Sequence, residues 1–198
     1  VAEFINLQSM MKNLAFDQIY HEHLLYYSLN TFNNLLKNYD LEIFDADLFS
    51  IHGGSCVAYI KHKGSNFEKT DKYKKILQDE IDYGILDYPV YEKFAGNVKS
   101  FKLEILELFN TLKSKGKTIY ALGAPVKGST MINYLNLDKN YIDCAVEINP
   151  YKFDTYYPGT KIPVVSQETV KDPDYYFMLS WNFQDEIISK MSTFAKKG

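Results

Sequence analysis

The spacing of apolar residues changes along the chain, and the change predicts two structural parts. In the first part, residues 1–6 form a strand-like run and residues 7–14 have helical spacing. Ser28 then precedes a set of apolar residues three and four positions apart, which are Leu29, Phe32, Leu35 and Leu36. This spacing is typical of one helix face, with Ser28 as its N-cap and an end near Asn38.

Two strand-like runs follow, at residues 41–49 and 55–62, and the turn between them contains His52, Gly53, Gly54 and Ser55. Two adjacent glycines permit either a tight hairpin turn or a close approach of the backbone to a ligand. The sequence leaves both open. Helical spacing then returns in residues 67–87 and again from Pro89 to Lys115, where Gly116 is a typical helix end.

Beyond Lys117 the pattern consists of short apolar runs that fit buried parallel strands, at residues 118–122, 141–148, 162–165 and 175–181. Helices are expected through Tyr134 after the first run and from about Phe183 to Ala195 after the last. This alternation predicts an α/β fold. We expect residues 89–198 to form a small Rossmann-like parallel sheet with flanking helices. Residues 1–88 should form a partial domain with a β-hairpin and helices.

Composition excludes some functions. The chain has 198 residues, 46% of them apolar, with a formal charge of −3, which argues against a nucleic-acid partner. It has neither an apolar run of membrane-spanning length nor a visible signal peptide. Cys56 and Cys144 lie in apolar, strand-like surroundings, as expected of reduced core residues in a cytoplasmic protein without a metal site. The first residue is Val1, so we expect a portion of a longer protein.

Tyr20, His21, Glu22 and His23 place four proton-handling groups side by side between apolar stretches. Such a group can supply a general base, a residue that orients the base, and a hydrogen-bond donor. The alternative is that these side chains are solvated or held in a turn. The spacing is not that of a helical H-E-x-x-H zinc pair.

A glycine-bracketed loop joins the first buried run of the second part to its helix, and it runs from Gly123 to Thr130. The lysine Lys127, with Gly128 and the hydroxyls of Ser129 and Thr130, suits a phosphate at a helix N-terminus. A plain connection between strand and helix is the alternative. Three further candidates follow later strands: Glu147, where Rossmann-type folds place a ribose-binding acid, and the pair Trp181 and Asn182. Trp181 is equally expected as a core anchor.

Several of these stretches, taken in order, resemble the S-adenosylmethionine-dependent sugar C-methyltransferases, which methylate C-3 of nucleotide-linked keto-deoxysugars. They are residues 16–23 (Phe-Asp-Gln-Ile-Tyr-His-Glu-His), 52–55 (His-Gly-Gly-Ser), 123–130 (Gly-Ala-Pro-Val-Lys-Gly-Ser-Thr), 149–152 (Asn-Pro-Tyr-Lys), 158–160 (Pro-Gly-Thr) and 181–182 (Trp-Asn). The resemblance covers only the later part of the family pattern. The family's four-cysteine zinc module and glycine-rich donor loop are not in these 198 residues. Pro125, Ser129 and Glu147 stand where the family pattern has Ala, Asn and Asp.

The resemblance implies a role for each candidate residue. His23 is the base that removes the proton beside the 4-keto group, Tyr20 and Glu22 place the substrate and the imidazole, and His21 is secondary. The resemblance also implies a sugar-nucleotide site, whose candidate residues are Gly123, Lys127, Gly128, Ser129, Thr130, Glu147, Asn149, Trp181 and Asn182, together with His52, Gly53, Gly54 and Ser55. S-adenosylmethionine is the implied cofactor of the full-length enzyme, and we expect this portion to be inactive alone. The alternative function is a non-catalytic sugar-nucleotide-binding module of the same fold.

Overall fold

The strand-like runs of the first part form a three-stranded antiparallel sheet. The computed structural model describes residues 1–50 and 53–191, and the chain divides into two compact units. The first unit contains residues 1–16 and 21–98, and the second contains residues 17–20 and the chain from residue 99 onward. The second unit therefore includes a short segment from the N-terminal part of the chain.

The first unit begins with β1 (Ala2–Ile5), α1 (Leu7–Lys12) and a 3₁₀ turn (Phe16–Gln18, of which only Phe16 belongs to this unit). It continues through α2 (Leu29–Lys37), β2 (Leu41–Phe49), β3 (Ser55–His62) and α3 (Asp71–Tyr83). The strand order is β1-β3-β2 with all pairs antiparallel, which confirms the predicted hairpin. Helices α2 and α3 pack on β2 because their apolar faces cover a core of Leu29, Leu36, Ile43, Ala46, Cys56, Ala58, Tyr73 and Ile76.

The predicted N-cap of α2 is confirmed. The hydroxyl of Ser28 accepts a hydrogen bond from the backbone N–H of Thr31, and the Thr31 hydroxyl accepts one from Ser28 N–H. Buried Glu80 of α3 accepts hydrogen bonds from the next two N–H groups, those of Leu29 and Asn30. The first turn of α2 is therefore held both by its own capping residues and by Glu80 of α3, and this fixes the end of the loop that precedes the helix.

A long helix, α4 (Tyr88–Ser114), contains the boundary between the two units, which falls between Val98 and Lys99. The second unit then contains β4 (Ile119–Leu122), α5 (Val126–Leu135), β5 (Cys144–Glu147), β6 (Thr155–Tyr156), β7 (Pro163–Ser166), β8 (Tyr175–Met178) and α6 (Gln184–Lys190). The strand order is β6-β7-β5-β4-β8. The four buried runs form β4, β5, β7 and β8, which are parallel, and this confirms the predicted sheet.

The order of strands decides where this sheet can bind a ligand. The chain moves outward from β4 to β5 and β7, and then returns to place β8 on the other side of β4. Loops on opposite sides of such a reversal separate at the carboxyl ends of the strands and leave a crevice. The second unit therefore has its open edge where β4, β5 and β8 end.

Three details differ from the sequence-based expectations. β8 ends at Met178, so Trp181 lies in a 3₁₀ turn (Trp181–Phe183) and not on a strand. Helix α5 begins at Val126, which places Lys127 in its first turn and not in the loop before it. The two-residue β6, antiparallel to β7, is too short to produce a readable pattern. The predicted extension of the last helix to Ala195 lies outside the described residues.

Both cysteines are buried and unbridged, as predicted. Burial raises the pKa of the Cys56 thiol to about 12 and that of the Cys144 thiol to about 11, with nearby carboxylates adding to the effect. Such thiols are protonated at neutral pH and behave as small core residues. In residues 1–50 and 53–191, no helix is both long and apolar enough to cross a membrane.

Candidate functional site

The proton-handling segment lies between the 3₁₀ turn at Phe16–Gln18 and the start of α2, so the structure confirms a loop that leads into a helix. Tyr20 belongs to the second unit, whereas His21, Glu22 and His23 belong to the first. The backbone N–H of Tyr20 donates to the carbonyl of Gln18 at 3.1 Å, which ties Tyr20 to the turn.

The two histidines of this segment differ in their surroundings. His21 and Glu22 are exposed, at 82% and 59% of their side chains, and His21 Nε2 lies 4.0 Å from Glu22 Oε1. An exposed pair at this distance contributes little to stability. His23 is half-buried and meets Tyr26 edge-on, with ring centroids 6.5 Å apart. Of the two histidines in this segment, His23 is therefore the one that is partly shielded from solvent.

The glycines of the hairpin pack against α1. A Cβ on Gly54, whose φ is +129°, would lie 2.3 Å from Ser9 Cβ, and the Gly54 carbonyl accepts from Asn6 N–H at 3.0 Å. The Gly53 carbonyl accepts from the Asn13 amide at 2.9 Å. Gly53, Gly54 and Ser55 are buried, so packing accounts for the need for glycine here. His52 lies outside the described residues.

Gly123 begins the loop after β4 and Gly128 lies in the first turn of α5, and other groups approach both glycines closely. A Cβ on Gly123 would lie 2.8 Å from Ser180 Oγ, and one on Gly128 would lie 2.7 Å from the Tyr157 hydroxyl. The same hydroxyl donates to the Gly123 carbonyl at 3.1 Å. Gly123 also has φ +84°. The two glycines let the loop and the start of α5 pack tightly on the end of the sheet.

Glu147, at the end of β5, is held by four donors. Its Oε2 accepts from Ala124 N–H at 3.0 Å and faces Lys152 Nζ at 3.3 Å, and its Oε1 accepts from the N–H groups of Ile148 and Asn149. Burial raises the pKa of Glu147, but the three backbone hydrogen bonds and Lys152 together outweigh burial, so the pKa is lowered. The carboxylate is thus ionised and binds the end of β5 to the loop after β4.

The structure brings Lys127, Trp181 and Asn182 together, and adds Asp17. The Trp181 indole N–H donates to Asp17 Oδ2 at 2.8 Å, and Lys127 Nζ lies 3.9 Å from the same oxygen. Lys127 Nζ also lies 4.4 Å above the Trp181 ring and donates to Asn182 Oδ1. All four residues belong to the second unit. We refer to Asp17, Lys127, Trp181 and Asn182 as the Asp17 cluster.

The two charged members of the Asp17 cluster are both poorly hydrated. Asp17 is 1% exposed, and the Lys127 side chain is 12% exposed. Burial raises the pKa of Asp17, against the opposing effects of Trp181, Lys127 and the backbone N–H groups of Asp17 and Gln18. Burial likewise lowers the pKa of Lys127, against the effect of Asp17. Desolvation therefore outweighs the mutual attraction of the two groups, as it commonly does for buried ion pairs.

A cavity of about 520 Å³ opens at the carboxyl ends of β4 and β5 in the second unit. Its lining residues are Leu122, Gly123, Pro125, Val146, Glu147, Ile148, Lys152, Gln167, Ser180, Phe183, Glu186, Ile187, Lys190 and Met191. Gly123 and Glu147 are the predicted site residues in this lining. Most of the others were not predicted, because they are ordinary apolar or charged residues that only the strand order brings together.

The remaining predicted residues lie on other parts of the second unit. Ser129 and Thr130 lie in α5 beyond its first turn, where both are half-buried. Asn149 caps a 3₁₀ turn by accepting from Tyr151 N–H at 3.1 Å. The described residues contain no group of three or more His, Cys, Asp or Glu that could hold a metal ion.

Comparison with known proteins decides the family. The sequence profile of the C-methyltransferase C-terminal domain matches residues 50–198, which is most of the chain. The chain belongs to this family. Its second unit, with the cavity and the Asp17 cluster, is thus mostly built from the matched region.

A curated relative extends the similarity to the N-terminal residues. The C-methyltransferase NovU of Streptomyces niveus is 31% identical over 194 residues, which cover 97% of this chain. The chain spans about half the length of that relative, at 46%. The segment with Tyr20 and His23 therefore lies within a C-methyltransferase alignment, although it precedes the matched C-terminal domain profile.

Proposed function

We propose that this chain is the C-terminal part of an S-adenosylmethionine-dependent C-methyltransferase that acts on a nucleotide-linked keto-deoxysugar in the cytoplasm. The observation that carries the proposal is the half-buried imidazole of His23 in a chain of the C-methyltransferase family. Methylation of a carbon beside a ketone requires a base, and the half-buried His23 supplies an imidazole that can accept that proton.

His23 begins the reaction by removing a proton from the carbon next to the keto group. The C–H electron pair forms a C=C bond to the carbonyl carbon while the C=O π pair moves onto oxygen, and a hydrogen-bond donor stabilises the resulting negative oxygen. Tyr20 is the proposed donor, and Glu22 and His21 form the exposed pair beside the base. S-adenosylmethionine, when bound by the full-length protein, would supply the electrophilic methyl group that the enolate carbon takes from the sulfonium sulfur.

The cavity of the second unit does not resemble a site for the adenosine of the methyl donor. Rossmann-type sites use an acid after the second strand to bind ribose hydroxyls. Here the Glu147 carboxylate already faces Ala124 N–H, the two N–H groups that follow it, and Lys152. We therefore assign none of the described residues to the methyl donor.

The second unit holds the nucleotide sugar in this proposal. Lys152 and Lys190 line the cavity, where they are paired with Glu147 and Glu186, and in this proposal they exchange those partners for a diphosphate. Phe183 offers a ring on which a base can stack. Helix α5 begins beside the cavity with no side-chain cap on its N–H groups. Lys127, Gly128, Ser129 and Thr130 lie on that helix, and Asn149, Trp181 and Asn182 lie on loops at the carboxyl ends of the strands.

Mass spectrometry of keto-sugar nucleotides tests the proposal. The full-length protein, incubated with the methyl donor, should give a product heavier by one CH₂ group, with the new carbon next to the keto group. No such product across keto-deoxysugar nucleotides would instead favour a binding module without catalysis, provided that the nucleotide sugar still binds.

A second experiment isolates the base. In D₂O without the methyl donor, the protein should exchange the proton beside the keto group for deuterium, and His23→Ala should reduce that exchange by about a hundred- to ten-thousandfold. The matched control is His62→Ala, an exposed histidine at the end of β3. Exchange that survives in His23→Ala would move the base to His21, Glu22 or Tyr20.

A further inference from the structure

Asp17 is the buried carboxyl group of the second unit that the proposed reaction leaves without a role. Its Oδ2 receives the Trp181 hydrogen bond and the Lys127 ion pair. Its Oδ1 is buried without a hydrogen-bond partner among the described residues. A buried carboxylate oxygen without a hydrogen-bond partner costs free energy, so a contribution to stability does not by itself explain Asp17.

The pair of Asp17 and Lys127 is not explained by stability either. Burial shifts the pKa of each residue toward its neutral form, although the two face each other. Replacing such pairs by apolar residues is often neutral or stabilising. Within the described residues, the charged side chain that faces Asp17 is Lys127 on α5, while the turn after β8 contributes the uncharged groups of Trp181 and Asn182.

The position of Asp17 in the chain supplies a reason for these contacts. Asp17 lies in the 3₁₀ turn that ends at Gln18, and the Gln18 carbonyl accepts from the backbone N–H of Tyr20. Trp181 is 164 residues away in sequence, in the turn after β8, and Lys127 lies in the first turn of α5. One carboxyl group therefore attaches the short segment 17–20 to the first turn of α5 and to the turn after β8, at the carboxyl edge of the sheet.

We propose that Asp17 is a positioning residue, which holds Tyr20 in place by fixing the turn before it to Trp181 and Lys127. This inference rests on the proposed function, in which Tyr20 donates a hydrogen bond to the enolate oxygen. A donor must be held near its working position before the reaction, because a displacement of about 1 Å can cost a hundredfold in rate.

Steady-state kinetics of the full-length protein test this inference. Asp17→Ala removes both contacts and should lower kcat by about ten- to a hundredfold, with little change in the KM for the nucleotide sugar. Asp17→Asn retains an oxygen that can accept from Trp181, so it should recover part of kcat. If Asp17 had a purely structural role, its variants would lower the amount of folded protein, but kcat per folded molecule would not fall from wild type to Asp17→Asn to Asp17→Ala.

A double-mutant cycle shows whether Asp17 acts through Trp181. Trp181→Phe keeps an aromatic ring but removes the indole N–H, and it should lower kcat in the same way. If the two residues act as a unit, the Asp17→Ala/Trp181→Phe double variant loses no more than the worse single variant. Trp181→Phe also serves if Asp17→Ala fails to fold. If the loss in kcat of the double variant equals the product of the two single losses, the inference is overturned.

Asp174→Asn is the matched control. Asp174 also pairs with a lysine of the second unit, Lys117, but it does so before β4, at the opposite edge of the sheet. The Asp174→Asn substitution should leave kcat unchanged. If the wild type is active and Asp17→Ala is folded and fully active, the positioning role is rejected but the proposed function is not. If the wild type shows neither methyl transfer nor deuterium exchange, the proposed function itself is rejected.

Discussion

The carboxylate of Glu80 accepts a 2.7 Å hydrogen bond from the backbone N–H of Leu29, the first residue of α2. It also accepts from Asn30 N–H at 3.0 Å and from the side-chain amides of Asn6 and Asn30. Glu80 is fully buried. A carboxylate at the N-terminus of a helix is favoured by the helix dipole, and this one joins the N-cap residue of α1 to α2 and α3 in the first unit.

We expect Glu80→Gln to destabilise the first unit by about 3 kcal/mol. The amide removes the charge and turns one acceptor into a donor that faces other donors, and hydrogen bonds to charged groups are worth about 1.5–3 kcal/mol each. The measurement is the free energy of unfolding in urea. Glu68→Gln, at an exposed position of the same unit, is the control and should change little. Equal stability of the two variants would contradict the role assigned to Glu80.

Two glycine substitutions in helices should have opposite effects. A Cβ on Gly128 would lie 2.7 Å from the Tyr157 hydroxyl and 3.1 Å from Leu179 Cδ1, so Gly128→Ala should cost about 1–3 kcal/mol. A Cβ on Gly96 of α4 would meet nothing within 4 Å. Gly96→Ala should therefore stabilise its helix by about 0.5–1 kcal/mol. Urea unfolding of both variants checks the pair, and a stabilising Gly128→Ala would show that the contact at α5 is looser than described.

Asp174 should make stability depend on pH in acid. The backbone N–H of Thr118, with Lys117 and the Thr118 hydroxyl, lowers the pKa of Asp174 from 3.8 to about 2. Because the folded-state pKa is depressed, the contribution of Asp174 is fully present above the unfolded pKa and is lost as pH falls toward about 2. The difference in unfolding free energy between wild type and Asp174→Asn should shrink over this range. A difference that stays constant down to pH 2 would be inconsistent with the shift.

Lys127 provides a test of the phosphate-binding prediction. A charge-assisted contact is worth roughly 1.5–3 kcal/mol, so Lys127→Ala should weaken the binding of a nucleoside diphosphate by about ten- to a hundredfold. Asn182 Oδ1 accepts a hydrogen bond from one of the three N–H groups of this ammonium. Because the side chain is 12% exposed, added salt should screen the contact only weakly. Calorimetric titration measures the effect, with Lys161→Ala, at an exposed position of the same unit, as the control.

Identical affinities for Lys127→Ala and wild type would assign this ammonium to the Asp17 cluster alone. Lys127→Arg should restore only part of the affinity, since a planar guanidinium replaces a compact charge above the Trp181 ring.

The main elements of the fold could be read from local patterns. The hairpin strands 41–49 and 55–62 and the helix behind Ser28 have their predicted bounds to within a residue or so. Each is long enough to show its period, and Ser28 caps its helix through two hydrogen bonds with Thr31, only three residues away. The two-residue β6 and the start of α5 at Val126 were not read correctly, because neither has a local signal strong enough to locate it.

The sequence by itself determined the parallel α/β sheet, the hairpin, and the grouping of Tyr20 to His23, because these depend on residues close together in the chain. Only the tertiary structure decided that Lys127 lies with Asp17 and Trp181, and that Glu147 is occupied by backbone N–H groups. Asp17 and Trp181 are 164 residues apart, and no local pattern relates them. Trp181 lies beside Lys127 because β8 returns to the side of β4, and the order of strands is set by burial of the whole sheet and not by any one segment.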